Sequence, residues 1–87
     1  MQQEYPENVI VTVCSKRLNL EADIRLATDS TFENWLPELI WVLNEYCKTN
    51  LDPRTLTVSY NGRELRSNDT LASLCVWDGS VLWLEER

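Results

Sequence analysis

The chain predicts an α+β domain in which one amphipathic helix packs across a small mixed sheet. Three observations predict it. Residues 9–14 and 56–60 carry apolar side chains at every second position, the period of a strand with one covered face. Residues 32–47 change to apolar spacing of three and four, the period of a helix with one covered stripe. Asn61-Gly62 and Asp78-Gly79 punctuate the C-terminal part with residues that tolerate positive φ and favour reversals. At 87 residues there is room for one domain, which buries about 60–65% of its unfolded surface.

The elements follow in order. Residues 1–8 read as a short mobile tail and 9–87 as the domain. Val9 to Cys14 is a β-branched run, and polar Thr12 on the alternate face places Val9, Val11 and Val13 inside. Ser15 to Asn19 is a polar reversal, and Leu20 to Ala27 is the second strand, with Ala22, Ile24 and Leu26 inward and Asp23 and Arg25 outward. Asp29-Ser30-Thr31 signals a helix start. Ser30 with Glu33 matches a capping box, and Thr31 is the alternative cap. Phe32, Leu36, Leu39, Ile40, Leu43 and Cys47 make the covered stripe, with Trp35, Val42 and Tyr46 flanking it. Asn34, Glu38, Glu45 and Lys48 make the wet face. Pro37 lacks an N–H, so it fits best in a first turn, which predicts a loose segment at Thr31–Asn34 and a regular helix to about Lys48. Asp52-Pro53 turns the chain into the third strand, Leu56 to Tyr60. Asn61-Gly62 reverses it into a short strand at Arg63-Glu64-Leu65. A small helical turn and a closing strand, Ser80 to Glu85, complete the chain. Hairpin, helix and returning strands give ββαββ, the β-grasp arrangement, with one helix layer on one sheet face.

Composition removes several function classes. With 14 acidic residues, 8 basic residues and no His, the net charge is −6. Nucleic-acid binding needs clustered Lys and Arg on one face, so none is expected. Cys14, Cys47 and Cys75 are widely spaced, with no CxxC pair and no His, so a zinc site is not expected. They read as small buried thiols in a reducing compartment. No base stands beside any of them, no Gly-rich phosphate loop is present, and the acids are scattered, so neither an enzyme nor a cofactor is expected. No run is long enough to cross a bilayer and the first residues have no apolar core, which predicts a cytoplasmic chain without membrane insertion.

The stretch Tyr60-Asn61-Gly62, Arg63-Glu64-Leu65, Asp69-Thr70-Leu71, Val76 and Leu82/Leu84 resembles the C-terminal half of the ubiquitin fold in residue type and order. The N-terminal half narrows the resemblance. Val9–Val13, Asp23-Ile24-Arg25-Leu26 and Leu36-Pro37-Glu38-Leu39 are similar to the valine-rich opening strand, second strand and helix opening of the YukD/EsaB proteins of bacterial type VII secretion systems. They are similar also to the related domain on the membrane component EccD. The sequence ends at Glu85-Glu86-Arg87, and neither Gly62 nor Gly79 is near that end, whereas conjugated modifiers and sulfur carriers finish in Gly-Gly. The aliphatic patch familiar on ubiquitin's open face falls here on Ser59, Trp83 and Glu85.

The resemblance implies a non-catalytic accessory or regulatory component that binds protein partners, namely cytosolic parts of a membrane secretion apparatus, with recruitment to the inner face of the membrane. Two alternatives share the fold: a ubiquitin-like adaptor domain excised from a larger protein, and a ubiquitin-like modifier. The Met1 start and the compact ending weigh against the first, and the missing Gly-Gly against the second. Candidate contact residues come from the periodicities. Trp41 projects among Asn34, Glu38, Glu45 and Lys48, nearly opposite Leu36 and Leu43, and Trp is enriched at binding hot spots. Trp83 and Val81 alternate with core-directed Leu82 and Leu84, which sends them to the open face with Thr57 and Ser59. Leu18 and Leu20 extend that surface from the first hairpin loop. Trp35 and Trp77 read as margins of the core. A homodimer through the Trp41 or Trp83 patch is a further expectation.

Overall fold

A computed structural model describes residues 5–87. The opening hairpin is β1 (Asn8–Ser15) and β2 (Leu20–Ala27), paired antiparallel from Asn8–Ala27 through to Ser15–Leu20. Helix α1 (Phe32–Cys47) follows, then a 3₁₀ turn at Pro53–Thr55, β3 (Leu56–Tyr60), the two-residue β4 (Arg63–Glu64) and β5 (Val81–Glu86). The sheet order is β2-β1-β5-β3-β4. Among the described residues only the β1–β5 pair is parallel, so the sheet is mixed as expected. The helix covers one face, where the expected inward sets meet. Val9, Val11 and Val13 of β1, Leu56 and Val58 of β3, and Leu82 and Leu84 of β5 are buried against Leu36, Leu39, Ile40 and Leu43 of α1. Ala22, Ile24 and Tyr60 pack at the margin of this core, and Cys47 ends the helical stripe half-buried.

The turns follow their chemistry. Asn61 and Gly62 both take positive φ, 52° and 79°, the pair that a two-residue hairpin turn matched to strand twist requires. Gly79, at φ 87°, sits in a turn closed by Ser80 N–H donating to the Trp77 carbonyl at 3.0 Å. Asp78 then accepts from the Ile10 N–H at 2.7 Å, and Gly79 donates to the Ile10 carbonyl at 2.9 Å, which ties this turn to β1.

The helix departs from expectation at its start. It begins at Phe32, so Pro37 lies in the second turn rather than the first. The capping box does not form: Thr31 is the N-cap and its side chain makes no capping bond. The exposed N–H groups of a helix start need acceptors, and here the loop after β4 supplies them. Phe32 donates to the Asp69 carbonyl at 2.8 Å and Glu33 to the Ser67 carbonyl at 3.1 Å. A bridge between Thr31 and Thr70 fixes the approach. Carbonyls from more than thirty residues away (Phe32 to Asp69) replace the local cap, which is why local sequence misplaced the boundary. Trp35, expected at the core margin, is fully inside at 2% exposure, edge-on to Phe32 with ring centroids 5.0 Å apart.

At the other end, Lys48 adopts left-handed φ of 55° as C-cap. Asn44 holds the exit: its amide nitrogen donates to the Leu51 carbonyl at 3.1 Å, and its oxygen accepts from Leu51 N–H at 2.9 Å and the Thr49 hydroxyl at 2.8 Å. Of the expected N-terminal tail, residues 1–4 lie outside the described residues. Among those described, the Thr28 hydroxyl donates to the Pro6 carbonyl at 2.6 Å, and Thr28 N–H donates to the Glu7 carbonyl at 2.9 Å.

Two further expectations are corrected. Trp77 is no core margin: it is 48% exposed on the turn before Gly79, with its ring against Tyr5 at 4.6 Å. Cys75 is exposed and takes φ of 56° where the turn Leu71–Cys75 ends, and Cys14 and Cys47 are half-buried, so the three cysteines are not a buried set.

Candidate functional site

The uncovered sheet face is built by the second half of each alternation. β1 presents Ile10, Thr12 and Cys14; β2 presents Glu21, Asp23 and Arg25; β5 presents Val81, Trp83 and Glu85; β3 presents Thr57 and Ser59. The register sets Glu21, Cys14, Trp83, Ser59 and Glu64 in one row across all five strands. Trp83 is the centre of that row and carboxylates end it on both sides. Asp23, Thr12 and Val81 form the adjacent row, where the Thr12 hydroxyl donates to Asp23 at 2.7 Å.

Trp83 is half-buried because the β1–β2 loop leans over it, with the Lys16 ammonium 5.3 Å from the ring centroid. An attraction of this kind at an exposed site contributes about 0.5–1 kcal/mol. Arg17 beside it pairs with Glu86. Loop and strands together enclose a cleft of about 650 Å³, lined among others by Ser15, Lys16, Leu18, Ser59, Gly62 and Trp83. Thus Trp83, Ser59 and Leu18 share one concavity. Val81 lies next along β5, 37% exposed, outside that lining. Leu20 does not extend the surface: it pairs with buried Ser15 and packs at the core margin on the helix side. The Ser15 hydroxyl accepts from Leu18 N–H at 3.3 Å, which shapes the loop.

Trp41 lies on the opposite side of the molecule, on the outer surface of α1 and 66% exposed. It borders a second, shallower groove of about 470 Å³ with Pro37, Glu38 and Val42. The periodicity therefore located two tryptophans that the fold keeps apart. It did not single out Ile10, 44% exposed on the open face, or Tyr46, 82% exposed on the helix. An alternation centred on polar Thr12 was the available signal for Ile10. Tyr46 sat at the border of the covered stripe, where helical projection alone does not decide.

On the open face, burial first, then the Glu21 and Asp23 carboxylates, push the Cys14 thiol up. Among the described residues no group of three or more His, Cys, Asp or Glu is placed to hold a metal ion. No described helix is long and apolar enough to cross a membrane. The arrangement offers apolar and aromatic area rimmed by charge, suited to contact with another macromolecule.

Comparison with known proteins agrees with this architecture. The EccD5 ubiquitin-like domain from Mycobacterium xenopi superposes with a TM-score of 0.79 at 20% identity, over 94% of this chain and 97% of that domain. A de novo design based on ubiquitin gives 0.73 at 25% identity, covering 95% and 93%. An Arabidopsis thaliana protein gives 0.74 at 14% identity, covering 97% and 92%. These likenesses establish a ubiquitin-like fold. No curated protein sequence matches the chain. A family model does, over residues 8–84, described as the WXG100 protein secretion system (Wss) protein YukD. On that match, spanning nearly the whole domain, the chain belongs to the YukD family of the WXG100, or type VII, protein secretion system.

Proposed function

We propose that this protein is a non-catalytic interaction module of the WXG100 secretion machine. It acts in the cytoplasm, is recruited to the inner face of the cell membrane, and binds a cytosolic part of the membrane apparatus. The observation that carries the reading is the family match over residues 8–84. The likeness to the EccD5 ubiquitin-like domain agrees with it, at a TM-score of 0.79 over 97% of that domain. Two surface patches supply the contact chemistry, one around half-buried Trp83 with Ser59, Leu18 and Val81, the other around exposed Trp41. The absence of His from the sequence and the scattered acids agree with a role in binding rather than catalysis.

The test is secretion of a WXG100 substrate by cells carrying Trp41→Ala and Trp83→Ala together. Loss of hot-spot aromatics lowers export at least about tenfold while the purified variant keeps its fold by circular dichroism. Export and folding both at wild-type level would remove the surface assignment. Self-association through one of the two patches belongs to the same reading. Sedimentation velocity at high concentration tests it, and a purely monomeric boundary counts against it.

A further inference from the structure

We propose that the outer face of α1 is a receptor for a basic, unpaired segment of a partner protein. The inference rests on the interaction-module reading and specifies the chemistry of one partner. Glu38, Trp41 and Glu45 stand at i, i+3 and i+7, which sets them on one stripe of the helix. Both carboxylates and the indole are exposed. At about 1.5 Å of rise per residue the two carboxylates are roughly 10 Å apart along the axis, with the indole between them. A planar guanidinium or an ammonium laid on Trp41 gains from the ring face, and neighbouring cations on the same segment reach the carboxylates.

Charge and placement both point to a cationic occupant. The helix Phe32–Cys47 carries Glu33, Glu38 and Glu45 and no Lys or Arg. None of the three carboxylates forms an ion pair among the described residues. Glu45 lies in the last turn, where the helix dipole disfavours an anion and favours a cation, and no basic residue occupies that turn. Lys48, the C-cap, is the cation that shares this face, and two carboxylates flank a tryptophan left 66% exposed; a basic segment laid across them covers the ring and pairs the carboxylates. The chain carries a net charge of −6, and its one pair of consecutive cations, Lys16 and Arg17, is engaged with Trp83 and Glu86, which makes a second copy a poor source of a basic segment.

The experiment leaves the stripe intact and places a photo-crosslinking residue beside it, Asn34→p-benzoylphenylalanine, in cells expressing the whole secretion system. Val81→p-benzoylphenylalanine probes the open sheet face in parallel. The expected result is a crosslink from position 34 to a partner segment with at least two Lys or Arg able to span roughly 10 Å. A synthetic peptide of that segment binds the purified protein, weakens as salt rises, and loses at least about tenfold in affinity with Glu38→Lys/Glu45→Lys. Glu38→Gln/Glu45→Gln gives an intermediate loss. A crosslinked segment without paired cations, a crosslink to a second copy of this chain, or affinity unchanged by charge reversal overturns the proposal. Crosslinking to secretion components from position 81 with none from 34 overturns it and leaves the interaction-module reading in place; crosslinks from neither overturn both.

Discussion

Leu43→Ala is the sharpest probe of which side of α1 faces the sheet. Leu43 is 1% exposed and belongs to the cluster formed by α1 and the central strands. Truncation removes three carbon groups from a water-free site, about 2.4 kcal/mol at roughly 0.8 kcal/mol each. The cavity left in a tightly packed layer raises the loss to about 3–4 kcal/mol. For a domain of this size each kcal/mol moves the midpoint by about 4–8 °C, so melting falls by roughly 12–32 °C. Urea denaturation followed by far-UV circular dichroism reads it: the midpoint falls while the slope, set by the area exposed on unfolding, stays constant. Trp41→Ala, two residues away, is the control. Its side chain covers no core, so stability changes by no more than about 0.5 kcal/mol. A Leu43→Ala loss below about 1 kcal/mol, or a larger loss for Trp41→Ala than for Leu43→Ala, would refute the orientation and every assignment of the outer helix face.

Two other outcomes follow from local geometry. Asn44→Ala removes a side chain that serves the backbone N–H and carbonyl of Leu51; loss of about 1–3 kcal/mol is expected, with amide exchange at Leu51 accelerated, and unchanged exchange there would argue against the clamp. Cys14, its thiol pushed up by burial and by Glu21 and Asp23, reacts with a maleimide or aromatic disulfide more slowly than exposed Cys75. Because the unfolded thiol ionises first as pH rises, Cys14 favours the folded state below the ordinary thiol range and ceases to as pH climbs through its raised value. Stability rising with pH in that window in wild type but not in Cys14→Ser would contradict this.

The parts of the fold legible in the sequence are those encoded by repetition within one element. Val9, Val11 and Val13 declare an inner face because Thr12 interrupts the other; Leu36, Leu39, Ile40 and Leu43 declare a helical stripe because no strand would carry that spacing. Asn61-Gly62 declares its turn by a backbone preference needing no partner. What escaped depended on segments far apart in the chain. Pro37 was assigned to a first turn because carbonyls of Ser67 and Asp69, invisible locally, start the helix at Phe32. Trp77 and Cys75 sat in apolar runs, yet both lie exposed in the turns between β4 and β5, Cys75 with a left-handed backbone. Leu20 was assigned to the contact surface from its place beside a loop, but its pairing with Ser15 turns it to the helix side. For the two tryptophans, periodicity gave the side of the element and the fold gave the neighbours: Lys16 lies over one and carboxylates flank the other.

The last strand in sequence occupies the middle of the sheet, between the first strand and the third. A chain emerging from the ribosome therefore has both flanks of its sheet before it has the piece that joins them. Until Val81–Glu86 arrive, the inner edge of the opening hairpin and the inner edge of the later one have no partner. The domain should consequently close in one late step, once synthesis has carried β5 clear of the exit tunnel.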